Sequence, residues 1–190
     1  GDESAWRLNG EWEFYFGTFI YGTPGTVCDT LIPDCYAKVP GYWSDYTVDG
    51  RKLPRFGYGT YRALIVLPRG YRDRMGFDMP VFDTSYEISI NGVTMARNGT
   101  PARTRAESVP SYKPLIFSYV PKSDTLELLI RVSNYEHRRG GFWLPVKAGT
   151  FHSIQNNFSN QWLFSTLVSG ILIASFLFFL IFYLLDRRDR

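Results

Sequence analysis

Cys28 and Cys35 are the residues whose spacing in this 190-residue sequence speaks most directly of chemistry. They lie in a turn-rich segment with Pro24, Gly25, Pro33 and Asp34, and outside the cytoplasm such an isolated pair is expected to form a disulfide that closes a loop. The chain-entropy argument assigns about 2.5 kcal/mol to so short a loop. His137 and His152 would complete only a poor zinc set with the two thiols, so no metal is expected. The sequence has no HExxH helix, no GxSxG elbow, no P-loop and no Gly-rich dinucleotide turn. Glu11 and Glu13 alternate with Trp12 and Phe14, which places both carboxylates on the solvent face of one strand as pairing groups, not as a glycosidase acid and nucleophile. These residues point to no enzyme activity and no cofactor.

The elements that position them read as strands. Trp12, Phe14 and Phe16 share one face of residues 11–16, and the same period of two returns at Tyr61, Ala63, Ile65 and Leu67, at Tyr86, Ile88 and Ile90, and at Leu126, Leu128, Ile130 and Val132. Further strands are expected at Gly76–Met79, Val93–Arg97, Leu115–Val120 and Gly141–Lys147. Asn91-Gly92 suits a type I′ hairpin, because both central residues of that turn need positive φ. Trp12 and Phe14 are expected in the core, and Gly140-Gly141 at a backbone turn. Arg62 follows an inward Tyr61 and points to the other face, where Glu87 or Glu127 would pair with it in preference to an anionic ligand. No strand–helix–strand alternation is present, so the fold class is all-β: an antiparallel jelly roll or β-sandwich at residues 1–149. The long loops at 21–56 and 98–113 are the places to look for function.

Trp162 to Leu185 is an uncharged apolar run. At about 1.5 Å of rise per residue it spans roughly 36 Å, enough for a hydrocarbon core of about 30 Å. The expected organisation is an outer domain at 1–149, a polar juxtamembrane linker at 150–160, a transmembrane helix at 161–185 in contact with membrane lipid, and a tail at 186–190. Arg187, Arg188 and Arg190 place that tail in the cytoplasm, with residues 1–160 periplasmic or extracellular. Gly1-Asp2 opens the sequence without a secretion signal, and one is expected to have been removed. The formal charge of +3 is small and its cations are dispersed apart from Arg103/Arg105 and Arg138-Arg139, which argues against nucleic acid as a partner.

Trp6 to Phe14 (WRLNGEWEF), Val39 to Trp43 (VPGYW), Gly57 to Arg62 (GYGTYR), Ser85 to Gly92 (SYEISING) and Val132-Ser133-Asn134 follow an order that resembles the sugar-binding jelly-roll domain of family 2 glycoside hydrolases. The order is more similar still to the related extracellular, galactose-binding-like domain of bacterial seven-transmembrane receptors with diverse intracellular signalling modules. The GYGTYR form, Asn98-Gly99 and the run SNYEHRRGGFW from Ser133 to Trp143 carry that closer likeness. The sequence departs from it after one span, without the six further helices or the output module the family implies. It would be a receptor fragment or a single-pass relative, in the bacterial inner membrane. The resemblance implies a ligand-sensing domain that takes a carbohydrate or related small molecule by aromatic stacking and hydroxyl hydrogen bonds. The loop residues expected to do so are Tyr42, Trp43, Tyr58, Arg103, Arg105, Tyr112, His137 and Arg138. The alternatives are a module that binds an envelope protein or its own dimer mate, and the non-catalytic carbohydrate-binding domain of a surface glycosidase.

Overall fold

Alternation of apolar and polar residues produces strands at intervals between Ala5 and Thr150. A computed structural model describes residues 5–22, 31–82 and 84–188, with side chains as far as Asp186. Its strands are β1 (Ala5–Arg7), β2 (Gly10–Phe16), β3 (Cys35–Val39), β4 (Thr47–Val48), β5 (Arg51–Lys52), β6 (Gly57–Val66), β7 (Met75–Met79), β8 (Ser85–Ile90), β9 (Val93–Asn98), β10 (Leu115–Tyr119), β11 (Thr125–Asn134) and β12 (Lys147–Thr150); one helix, α1 (Phe151–Arg188), follows. A six-stranded sheet runs β3-β2-β6-β11-β8-β9, a four-stranded sheet runs β1-β12-β7-β10, and β4-β5 is a small ribbon. Every pairing is antiparallel. The fold is therefore the expected all-β sandwich followed by a long apolar helix.

The inward faces of the two large sheets form the core. Phe14 lies 4.4 Å from Tyr61 between ring centroids, Tyr61 lies 4.5 Å from Phe142, and Phe142 meets Phe82 at 4.1 Å. All four are fully buried. Burial of each such ring contributes about 1.5–3 kcal/mol, and the tilted and edge contacts add about 0.5–1.5 kcal/mol per pair. At the β8–β9 hairpin Asn91 and Gly92 have φ of 47° and 79°, as the sequence requires, and the Asn91 side chain accepts the Glu127 N–H at 2.7 Å.

Three local readings change. Residues 141–146 are not a strand: Gly41 N–H donates to Phe142 O at 2.6 Å and Trp43 N–H to Gly140 O at 2.9 Å, so this segment lies along residues 41–43 and joins the sheet only at β12. Pro145 brings no N–H to a ladder, which favours that departure. Inside the expected long loop at 21–56, β3 pairs with β2 in the register Cys35↔Phe14 to Val39↔Gly10. Cys35 opens that edge strand, packs partly against the core and carries a free thiol, which overturns the expected Cys28–Cys35 disulfide; Cys28 lies outside the described residues. Burial, then the Asp34 carboxylate, pushes the Cys35 thiol above its ordinary value.

The stretch expected as a polar linker is helical from Phe151 onward. Phe151 N–H donates to Arg74 O at 3.1 Å, and Ile154 is buried. A Cβ on Gly76 would come within 2.9 Å of Ile154 Cβ and of Phe151 Cα, so glycine at this point of β7 is what lets the helix start approach the sheet. The compact units divide after Ile154: the sandwich forms one, and Gln155 onward the other. In the second unit the large apolar side chains between Trp162 and Leu185 are exposed, on a helix long and apolar enough to cross a membrane.

Candidate functional site

Asn134 ends β11 and organises the loops around it. Its Nδ2 donates to His137 O at 2.7 Å and to Arg55 O at 3.1 Å, while its Oδ1 accepts the His137 N–H at 3.0 Å. The side chain is fully buried and uses both donors and an acceptor, so the loop after β11 is held against the segment that enters β6. One residue earlier Ser133 Oγ lies 2.9 Å from Ser85 Oγ and 3.0 Å from Ser108 Oγ, and it accepts the Ala102 N–H at 3.2 Å. Those bonds fasten the 99–108 loop to the same end of the six-stranded sheet, and the bridge between Thr100 and Val109 closes it.

Five of the eight expected binding residues lie on loops at this end of the sheet; a sixth, Tyr58, expected on a loop, lies in strand β6. Tyr42 stands beneath the Arg139 guanidinium, 4.8 Å from ring centroid to Cζ. Arg105 pairs with Glu136 at 3.3 Å, and the Tyr135 hydroxyl donates to Arg103 O. Tyr135 is pushed above the ordinary tyrosine value, first by burial and then by the neighbouring Tyr58 and Glu107. His137 Nδ1 lies 2.9 Å from Arg139 O, and Arg138 is exposed on the same loop. Tyr58 packs on Phe19 at 4.8 Å and stays half-buried. Tyr112, 52% exposed, lies beyond the bridge, next to Ser111, whose N–H donates to Thr84 O.

Trp43 is different. It is wholly buried against Phe14 and Phe16, and its indole N–H donates to Pro54 O and Arg55 O at 3.0 and 3.2 Å. A Cβ on Gly140 would fall 2.4 Å from the indole ring, so no ring face is left for a ligand. Tyr135, Glu136 and Arg139 join the expected residues at this end; their sequence signal was membership of the SNYEHRR run and, for Arg139, the basic pair with Arg138. The arrangement offers exposed guanidinium groups, a partly exposed tyrosine ring and backbone carbonyls held by buried side chains. Such a set can stack on an apolar face and donate hydrogen bonds to hydroxyl or carboxylate oxygens. Among the described residues no group of three or more His, Cys, Asp or Glu gathers as a metal site.

A second surface lies on the outward face of the six-stranded sheet. Arg62 bonds Glu127 at 2.7 Å and Glu13 at 2.9 Å; Glu87, expected as an alternative partner of Arg62, instead takes Arg131 and Arg97. Thr18–Gly22 crosses this face, where Ile20 O accepts Arg131 Nη1 at 2.9 Å and the Tyr21 ring lies 4.5 Å from the guanidinium. Beyond the strap a groove of about 460 Å³ is lined by Glu11, Glu13, Tyr36, Arg62, Leu64 and Val66, among others.

No protein-family model and no curated protein sequence matches the chain. Solved structures do. It is similar to a Ruminococcus gnavus beta-glucuronidase with a TM-score of 0.55 and 13% identity, covering 76% of this chain and 27% of that one. The same enzyme in complex with uronic isofagomine gives 0.55 at 14% identity, covering 77% and 28%; in complex with D-glucaro 1,5-lactone it gives 0.54 at 14%, covering 77% and 29%. This chain thus spans less than a third of the length of the enzymes it resembles. In fold it is an antiparallel β-sandwich similar to a part of these enzymes, followed by one apolar helix of membrane-spanning length.

Proposed function

We propose that the sandwich is a non-catalytic carbohydrate-binding module, displayed on the outer side of a membrane by α1. The observation that carries this reading is the convergence of Tyr42, Arg103, Arg105, His137 and Arg138, on loops, with Tyr58, on β6, at the end of the sheet organised by Asn134 and Ser133. The likeness of fold to a carbohydrate-acting enzyme supports the same ligand class, and the guanidinium groups suit sugars that bear a carboxylate. The three arginines after the apolar run favour a cytoplasmic tail and hence an outer sandwich. Calorimetry of the full chain in detergent, against neutral sugars and uronides, tests the ligand class. Saturable heat with at least one sugar, with binding weakened in Tyr42→Ala and in Arg105→Ala, is the expected result; no heat from any sugar removes the carbohydrate reading.

A second reading, the ligand-sensing outer domain of a signalling receptor, rests on the continuity of β12 with α1. The first turn of the helix packs on β7 through Ile154 and Gly76, so a change within the sandwich has a rigid route to the helix start. A ligand would shift that element only through different affinity for two arrangements. A flexible Gly-Ser insertion at 155–160 should then uncouple sensing from output while leaving binding intact; unchanged output counts against this coupling.

A further inference from the structure

The end of the sandwich from which α1 departs has a surface of its own. Met75 opens β7 and is paired both with Tyr119, the last residue of β10, and with Thr150, the last residue of β12. The loops at 67–74 and 120–124 therefore stand beside the point where the chain enters the helix. They carry Arg69, Arg72, Arg74 and Lys122, all exposed, against the carboxylates of Asp73 and Asp124. Asp124 is already engaged, with Arg72 Nη1 at 2.8 Å and the Gly70 N–H at 3.1 Å, which clasps the two loops together. Arg69, Arg74 and Lys122 then face a single remaining acid. Between them lie Val120, 47% exposed, and the half-buried Tyr71. Cations interleaved with an aromatic and an apolar side chain are the composition that suits a phospholipid headgroup layer.

Position decides what this surface meets. Ile154 is only eight residues from Trp162, where the uncharged apolar run begins, so this end of the sandwich is the one tethered by the shortest stretch of chain to the span. The screening length at physiological salt is about 8–10 Å, so cations brought within that reach of an anionic lipid surface would feel its charge. Arg74 ties the surface to the helix start directly, since its carbonyl accepts the Phe151 N–H and its guanidinium lies 5.7 Å from the Phe151 ring.

We propose that this end of the sandwich docks on anionic phospholipid headgroups, with Arg69, Arg74 and Lys122 meeting phosphate and Val120 and Tyr71 entering the interface. The docking rests on the reading of α1 as a membrane span, and the two can fail separately. The full chain is reconstituted into nanodiscs of phosphatidylcholine alone or of phosphatidylcholine with phosphatidylglycerol, which leave both membrane faces open to solvent. Recovery of the chain in the phosphatidylcholine discs tests the span by itself, and failure to incorporate overturns that reading. Amide hydrogen exchange then reads the docking. Exchange in 69–74 and 120–124 should slow severalfold in the anionic discs relative to the neutral ones, while exchange in 102–108 stays the same in both. The difference should vanish in high salt and in the variant with Arg69→Glu and Lys122→Glu, two exposed residues whose thermal unfolding midpoint serves as the folding control. Equal exchange of these loops in both kinds of disc, with the chain incorporated in each, overturns the proposal.

Discussion

Arg62 Nε donates to Glu127 Oε1 at 2.7 Å, joining side chains 65 positions apart that are 7% and 0% exposed. The pair lies on the outward face of β6 and β11, where a solvated salt bridge would contribute about 0–1 kcal/mol. Burial changes its weight, because the fully buried Glu127 depends on Arg62 as its counterion.

Arg62→Met should therefore cost about 3–5 kcal/mol, by leaving Glu127 charged and buried without a counterion. Replacing both Arg62 and Glu127 by Met should recover most of that loss. Urea unfolding of the full chain in detergent, followed by far-ultraviolet circular dichroism, measures both. A double variant no more stable than the single one would show that the damage is to packing and not to charge.

Burial by itself would raise the Glu87 carboxyl, but the hydrogen bonds and charges of Arg97 and Arg131 outweigh it and hold the group below its ordinary value. A carboxylate lowered on folding adds stability that is complete above its unfolded value, about 4.3, and that fades as the pH drops through the folded value. The urea midpoint should accordingly hold near neutrality and fall in acid below about pH 4. Glu87→Gln should start from a lower midpoint at neutral pH and show a shallower acid slope; a slope identical to the parent protein's would exclude Glu87 as its source.

Cys35 should behave as a reduced thiol. Addition of a reductant is expected to leave the unfolding midpoint unchanged, where breaking a disulfide of this loop length would lower stability by about 2.5 kcal/mol. In the folded protein the thiol should react slowly with aromatic disulfide reagents, because burial and Asp34 suppress its thiolate. Rapid labelling at neutral pH would contradict its packing against the core.

Trp43 and Tyr42 are neighbours with opposite expected roles. Trp43→Ala should destabilise the sandwich by about 3–5 kcal/mol, the usual cost of removing a buried aromatic side chain. Tyr42→Ala should change stability by no more than about 1 kcal/mol and weaken sugar binding roughly tenfold. Thermal melts and calorimetry of the two variants separate these outcomes, and a Tyr42 variant as unstable as the Trp43 one would place that ring in the fold and not in the site.

Local pattern was enough for much of this architecture. The period-two runs around Phe14, Tyr61, Ile88 and Ile130 mark strands because alternate side chains must face one core, and Asn91-Gly92 marks a hairpin because few other dipeptides tolerate two positive φ angles. The apolar run from Trp162 to Leu185 specifies a span-length helix by itself, since its length and lack of charge need no partner to be read. Pairing between distant segments was not legible. The five-residue strand at Cys35–Val39 sits in turn-rich sequence and becomes a strand only by meeting β2, which is also what leaves Cys35 against the core as a free thiol. Trp43 looked like a loop aromatic, and only the approach of Gly140 and the carbonyls of Pro54 and Arg55 turns it inward. The convergence of Tyr42, Arg105 and Arg138 at one end depends on Asn134, and the burial of Arg131 on a nominally solvent face depends on the strap at Thr18–Gly22. Alternation within a strand shows which side a residue faces; what covers that side is decided by chain dozens of residues away, so only the tertiary structure reveals it.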